Sequence, residues 1–101
     1  MDSYQIIISF NAHLDISECV AFVLKVSKEA ALKLSNDIYS AIESLSNFPE
    51  RNPSFEMPKS FPFIVRKQVV DGRYVVLYYV DDNKIVVIRV LDVRRGFNAL
   101  I

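Results

Sequence analysis

Six basic side chains in the second half of the chain are the residues best suited to act on an anion. They are Arg66, Lys67, Arg73, Arg89, Arg94 and Arg95. A guanidinium grips a phosphate or a carboxylate through two parallel hydrogen bonds, whereas a lysine supplies a point charge. Arg94 and Arg95 stand at the end of a predicted strand, where both can reach a phosphate. The alternative for this pair is a solvated strand end or an ion pair with Asp92.

The other candidates have equally concrete alternatives. Arg66 and Lys67 are neighbours in a strand, so they point to opposite faces and at most one can line a given surface. Arg89 lies among apolar residues and either contacts a phosphate or a partner protein, or is a partly buried arginine paired with an acid. Arg73 flanks a turn and is either a solvated hairpin residue or a contact. Tyr78 can stack on a base, as aromatic residues do in RNA recognition, or belong to the core.

The charge distribution also favours an anionic partner for the second half of the chain. Residues 1–50 hold three lysines and seven acids, whereas residues 51–101 hold nine basic residues and five acids, although the whole chain is neutral. A basic half attracts nucleic acid or an acidic protein segment. The alternative is that helices and strands differ in composition by chance.

The remaining composition excludes several classes of protein. The 101 residues predict one domain over 1–101, and 51% hydrophobic with 24% charged residues is typical of a soluble globular protein. No apolar run approaches the roughly 20 residues that span a bilayer, and residues 1–10 do not form a signal peptide. One cysteine, Cys19, excludes an internal disulfide and fits a cytoplasmic location, and with His13 as the single histidine we expect no zinc site and no cofactor.

A three-stranded meander must position the basic residues. Strands are predicted at 63–70, 73–80 and 84–93, because β-branched and aromatic residues dominate them. Asp71-Gly72 is a strong hairpin signal, since this pair tolerates the positive φ angles of tight turns. In the last strand, alternation predicts Val86, Ile88 and Val90 on one face, and on the other Ile85, Val87, Arg89, Leu91 and Val93.

The first half predicts a strand and two helices. Residues 4–10 form a strand that we expect to be covered on both faces and not to be a bare edge. Asn11 is the predicted cap of a helix over 12–26, whose buried stripe is Ile16, Val20, Val23 and Val26. Ser27 is the predicted cap of a second helix over 28–47.

Residues 50–62 are a proline-rich loop that Phe55, Met57 and Phe61 should pin to the core, and residues 97–101 form either a helical turn or a tail. The predicted fold class is therefore α+β: a β-α-α-β-β-β order with a four-stranded antiparallel sheet and an α-helical hairpin on one face. The other face should be concave and basic, which makes it a place for a ligand.

Several segments in this order resemble the RelE/ParE family of type II toxin–antitoxin toxins. The segments are YQIIISF with NAHLDI, then AIESLSNFP, the pair RYVVLYYV and KIVVIRVLDV, and the closing RRGFNAL. The resemblance covers nearly the whole chain. It implies a small cytosolic toxin, linked to plasmid stabilization, that a cognate antitoxin neutralises by wrapping a segment across its surface.

The resemblance implies two kinds of target. RelE-like members cleave mRNA on the ribosome with basic residues of the sheet, whereas ParE-like members poison DNA gyrase without nuclease residues. The catalytic residues carried over to this chain are Arg66, Lys67, Arg94 and Arg95, with Arg73, Arg89 and Tyr78 as contacts for RNA or antitoxin. Many nucleases of the family add a C-terminal Tyr or His, but here no His follows His13 and no Tyr follows Tyr79.

Three hypotheses therefore remain open at the level of sequence. The first is a metal-independent endoribonuclease, an mRNA interferase that needs no cofactor. The second is a ParE-like inhibitor of DNA gyrase that needs no catalytic group, and the third is a degenerate toxin that binds only its antitoxin. The ribonuclease is placed slightly ahead of the gyrase inhibitor, because most of the required positive charges are present.

Overall fold

The computed structural model describes residues 4–95, with Arg95 described in its backbone only. Its helices are Phe10–Leu24 (α1) and Lys28–Ser44 (α2). Its strands are Gln5–Ile8 (β1), Ser54–Phe55 (β2), Val65–Val70 (β3), Tyr74–Asp81 (β4) and Lys84–Asp92 (β5), and short 3-10 turns cover Pro49–Arg51 and Val93–Arg95. The predicted turn or tail at 97–101 lies outside the described residues.

The α+β class with a helical hairpin is confirmed, and the sheet has five strands in the order β1-β5-β4-β3-β2. The strand that was not predicted is β2, whose two residues pair with β3. A strand of two residues inside a loop is too short to show an alternating pattern in the sequence. The pairing of β1 with β5 is parallel, while the other pairs are antiparallel. The expectation that the first strand is not an edge was wrong, since β1 ends the sheet and Ile7 is exposed.

Apolar side chains fill both faces of the sheet. Under the helices lies the larger core, with Ile16, Leu34, Ile38 and Ile42 packed against the central strands. The opposite face carries a smaller core, built on Val65, Val75, Leu77 and Leu91 and covered by Phe55, Met57 and Phe61. The predicted anchoring of the loop is thus confirmed, but the expected concave basic face was wrong, because the same loop fills it.

A β-bulge in β5 overturns the predicted alternation of that strand. Leu77 pairs with Arg89 and Tyr78 pairs with Val87, so Ile88 is an extra residue. Beyond the bulge the faces are exchanged: Val90 joins Val87 in the core under the helices, and Ile88 packs with Leu91 on the other side.

Both helices begin at a serine cap. The backbone N–H of Ala12 donates to Ser9 Oγ over 3.1 Å, so Ser9, not the predicted Asn11, caps α1. Ser27 caps α2 as predicted, accepting from the N–H of Ala30 over 3.1 Å. Because α1 ends at Leu24, Val26 does not belong to its buried stripe and is exposed.

Candidate functional site

Arg89 forms an ion pair with Asp15 of α1. Its Nε and Nη2 donate to the two carboxylate oxygens over 2.7 and 2.9 Å, and the backbone N–H of Val90 donates to the same carboxylate over 2.9 Å. The Asp15 side chain is only 11% exposed and that of Arg89 30%. The hydrogen bond to Asp15 raises the pKa of Arg89 further above its usual range.

The start of α1 lies beside β5 where a neighbouring strand is missing. Because β1 ends at Ile8, the part of β5 beyond the bulge has no strand on that side. The start of α1 takes its place: Ser9 Oγ donates to the carbonyl of Ile88 over 3.0 Å, and Asp15 accepts from Val90. Arg89 therefore holds α1 against the sheet. Of the two predicted roles, a contact with a ligand or a partly buried arginine paired with an acid, the structure has the second.

Arg73 likewise forms an ion pair, with Asp92 at the end of β5. Its Nε and Nη2 donate to the carboxylate over 3.1 and 2.9 Å, and the backbone N–H of Arg94 donates to the same group over 3.0 Å. The Asp92 side chain is 4% exposed, and the Arg73 guanidinium lies 5.2 Å from the centre of the Tyr74 ring. This second bidentate pair ties the start of β4 to the end of β5.

Three of the four predicted catalytic residues, Arg66, Lys67 and Arg94, do not converge on one point of the sheet. Arg66 pairs with Tyr78 and Lys67 with Leu77, so Arg66 faces the helices and Lys67 faces away from them, as the alternation predicted. Arg94 follows Asp92, which pairs with Tyr74, four residues from Tyr78 along β4. Four residues of strand span about 13 Å, and β3 and β5 are two strand spacings, about 10 Å, apart.

Among the predicted site residues whose side chains the structure describes, Arg94 is the one classed as exposed. It is exposed, and its side chain makes no hydrogen bond or ion pair with the residues from 4 to 95 that have described side chains. The side chain of Arg95 lies outside the description. Arg94 is thus available to a ligand, but Arg66 and Lys67 lie too far along the sheet to share a phosphate with it.

Tyr78 is a core residue whose hydroxyl is hydrogen-bonded within the chain. Its side chain is fully buried, and its hydroxyl donates to the carbonyl of Pro49 and accepts from Asn52 Nδ2 over 3.0 Å. Burial raises its pKa above the usual value for tyrosine. The ring therefore has no exposed face on which a base can stack.

Arg51 anchors the segment after α2 and was missed by the sequence reasoning. Its guanidinium donates to the carbonyls of Ser44 and Asn47, to Ser44 Oγ over 2.9 Å and to Gln68 Oε1 over 3.1 Å. Basic side chains often satisfy the last carbonyls of a helix, so an arginine shortly after a predicted helix end was the available signal. Arg66 joins this region by donating from Nη1 to the carbonyl of Asn52 over 2.7 Å.

Phe48 has a strained backbone conformation at the end of the segment after α2. Its φ of 58° and ψ of 68° are left-handed, it precedes Pro49, and 82% of it is exposed. Such a backbone costs on the order of 1–3 kcal/mol in a residue other than glycine. The turn that follows reaches a cavity of about 260 Å³, lined by Glu50, Pro62, Phe63, Ile64, Arg66 and Val80.

The solvent side of α1 is unusually apolar. Exposed residues recur at spacings of four and three along it: Phe10, Leu14, Ser17, Ala21 and Leu24, which we call the α1 outer stripe. Phe10 is 75% exposed, and the stripe lies opposite the buried Ala12, Ile16 and Cys19. An amphipathic helix normally exposes its polar side, so this stripe is expected to be covered by another helix.

Among residues 4–95, no group of three His, Cys, Asp or Glu side chains is placed to hold a metal ion. None of the helices in this part of the chain has the length and apolar character needed to cross a membrane.

Comparison with known proteins places most of the chain in one family. Residues 6–97 match the family model for the ParE toxin of the type II toxin–antitoxin system parDE. A search of curated proteins finds no match.

Three solved structures share the fold at low sequence identity. One is described as the chromosomal ParDE toxin–antitoxin system of Pseudomonas aeruginosa, with TM-score 0.70 and 20% identity over 89% of this chain and 96% of that one. A conserved hypothetical protein of Helicobacter pylori gives TM-score 0.56 and 13% identity over 90% and 96%. A copper-bound mutant toxin of Helicobacter pylori gives 0.51 and 13% over 93% and 99%.

Proposed function

The chain belongs to the ParE toxin family of type II toxin–antitoxin systems, and we propose that it stops growth by binding DNA gyrase rather than by cleaving mRNA. The observation that carries this proposal is that two arginines of the sheet form ion pairs within the chain. Arg73 and Arg89 each make a bidentate bond to an acid of the same chain. A guanidinium paired in this way stabilises the fold, and its charge and two of its five N–H donors are already engaged by a carboxylate.

The separation of the remaining basic residues further supports a binding mechanism. Phosphoryl transfer by a nuclease needs several donors preorganised around one phosphate, and usually a group that moves a proton. Lys67 and Arg66 lie on opposite faces of β3, and Arg94 lies at a distant strand end. Residues 80–101 contain no His or Tyr that could serve as such a proton-transfer group. An inhibitor that acts by binding needs neither feature.

As a type II toxin, the protein has an antitoxin partner, and the α1 outer stripe is our candidate for its docking surface. Spacings of four and three present a continuous seam to a facing helix, whose side chains can pack as knobs into holes. The small residues Ser17 and Ala21 at its middle allow a close approach, while Phe10 and Leu24 at its ends supply apolar area. We therefore propose that an amphipathic antitoxin segment binds here as a helix.

The test in cells is induction of the protein without its antitoxin. We expect growth arrest with double-strand DNA breaks, while primer extension finds no new 5′ ends in translated messages. The double variant Lys67→Ala, Arg94→Ala should arrest growth to a similar extent, because neither residue has a catalytic task. New cleavage sites in messages that disappear in this variant would establish the ribonuclease instead, and absence of arrest would leave a protein that binds only its antitoxin.

A further inference from the structure

We propose that the outer edge of β1 pairs with the same edge of a second copy of this chain, so that two toxins join their sheets across a two-fold axis. β1 ends the sheet, and among residues 4–95 no strand pairs with its outer side. The inference concerns the free toxin. It therefore goes beyond the proposed function and does not depend on whether the target is gyrase.

Two residues of β1 direct their backbone groups away from the sheet. On the inner side, the N–H groups of Gln5 and Ser9 donate to carbonyls in and just before β5, over 2.8 and 2.9 Å. The backbone groups of successive residues in a strand alternate in direction, so those of Ile6 and Ile8 point outwards. The outer edge of β1 thus offers two N–H groups and two carbonyls to another strand.

The sequence of β1 does not protect this edge. Natural edge strands commonly carry lysine, proline or a bulge, which discourage pairing with another chain. β1 has the sequence Gln-Ile-Ile-Ile, without charge or proline, and its pairing with β5 is regular. Ile6 and Ile8 pack in the core under the helices, so Ile7 lies on the opposite face, where it is 37% exposed. The edge is therefore both open and apolar.

A second copy fits this edge because the edge is complementary to itself. Antiparallel pairing centred on Ile7 places Ile6 of each copy opposite Ile8 of the other, and each such pair exchanges two hydrogen bonds. One register therefore satisfies all the outward backbone groups of Ile6 and Ile8 in both copies. The two Ile7 side chains meet on the axis, where opposed residues are closest, and the symmetric contact brings no like charges together.

The contact is small, because β1 has only four residues. Interfaces below the usual size are typical of reversible association and not of permanent dimers. We therefore expect a dimer of the free toxin that dissociates on dilution.

Disulfide trapping tests the register of the pair. At the axis, the Cα atoms of residue 7 in the two copies would lie about 4.5 Å apart, which a disulfide can bridge. Ile7→Cys should therefore give a covalent dimer under mild oxidation. Gln5→Cys, on the same face of β1, is the matched control: the two copies of residue 5 would be about 13 Å apart, so this variant should not be linked. The native Cys19 is buried, and the wild type should not be linked either.

Sedimentation of the free toxin tests the association itself. The wild type should show a monomer–dimer equilibrium that shifts with concentration. Ile7→Lys should weaken the dimer at least about tenfold, because two charges would meet on the axis. Val69→Lys places the same charge at an exposed valine of β3, away from β1, and should dimerise like the wild type. Circular dichroism checks that both variants are folded.

Three results would overturn the inference. The first is a toxin that stays monomeric up to about 1 mM, or equal linking of Ile7→Cys and Gln5→Cys. The second is a toxin dimer that Ile7→Lys leaves intact, which would place the contact elsewhere. The third is a monomeric toxin whose Ile7→Lys variant loses affinity for the antitoxin, which would assign the edge to an antitoxin strand. None of these results bears on gyrase, so the proposed function stands or falls separately.

Discussion

Replacing Asp15 by alanine should lower the free energy of unfolding by about 3 kcal/mol. The substitution removes the acceptor of three hydrogen bonds and leaves the Arg89 guanidinium and the Val90 N–H without a partner in a largely buried place. Removing one partner is worse than removing both, because the remaining charge keeps its desolvation penalty. For a chain of about this size, each kcal/mol lowers the melting temperature by about 4–8 °C, so thermal unfolding followed by circular dichroism will show the loss.

A surface ion pair provides the control for this experiment. Lys33 and Asp37 are joined over 2.6 Å on the outside of α2, and the Lys33 side chain is mostly exposed. Asp37→Ala should therefore leave the melting temperature nearly unchanged, since solvent screens such a pair. If Asp15→Ala were as mild as Asp37→Ala, Arg89 would not be a structural residue, and the main support for a binding mechanism would be lost.

Replacing Leu14 by lysine should weaken antitoxin binding by about 100-fold or more. Leu14 belongs to the α1 outer stripe, and a charge there must be desolvated when a helix covers the stripe. The fold itself should tolerate the change, because the side chain is exposed in the free protein. Titration calorimetry with purified antitoxin measures the affinity, and in cells the variant should remain toxic when antitoxin is co-expressed.

Leu32→Lys is the control for antitoxin binding. It introduces the same charge at an exposed leucine of α2, away from the stripe. We expect full neutralisation of this variant. Equal weakening by both substitutions would point to a general charge effect, and no weakening by Leu14→Lys would place the antitoxin elsewhere on the toxin.

The local features of this fold were readable from the sequence because they depend on neighbouring residues. Asp71 and Gly72 do adopt positive φ angles, 54° and 66°, and join β3 to β4 as predicted. Ser27 caps α2 as its type and position suggested. The alternating pattern of β3 also placed Arg66 and Lys67 on opposite faces.

The features that escaped prediction depend on residues far apart in the sequence. Asp15 and Arg89 are 74 positions apart, and only the packing of α1 beside β5 brings them together. The bulge at Ile88 follows from the register between β4 and β5, which a simple alternation cannot express. The α1 outer stripe was not predicted, because the buried stripe alone is sufficient to indicate an amphipathic helix. A second apolar stripe on the same helix is explained only by a partner that covers it.

The most direct test of the account uses purified components in two parallel reactions. In one, the toxin is added to DNA gyrase with supercoiled plasmid, and in the other to ribosomes translating a defined message. We predict accumulation of gyrase-bound cleaved plasmid in the first reaction and an intact message in the second. A message cut at discrete sites, together with unimpaired gyrase, would contradict the account and return the sheet arginines to a catalytic role.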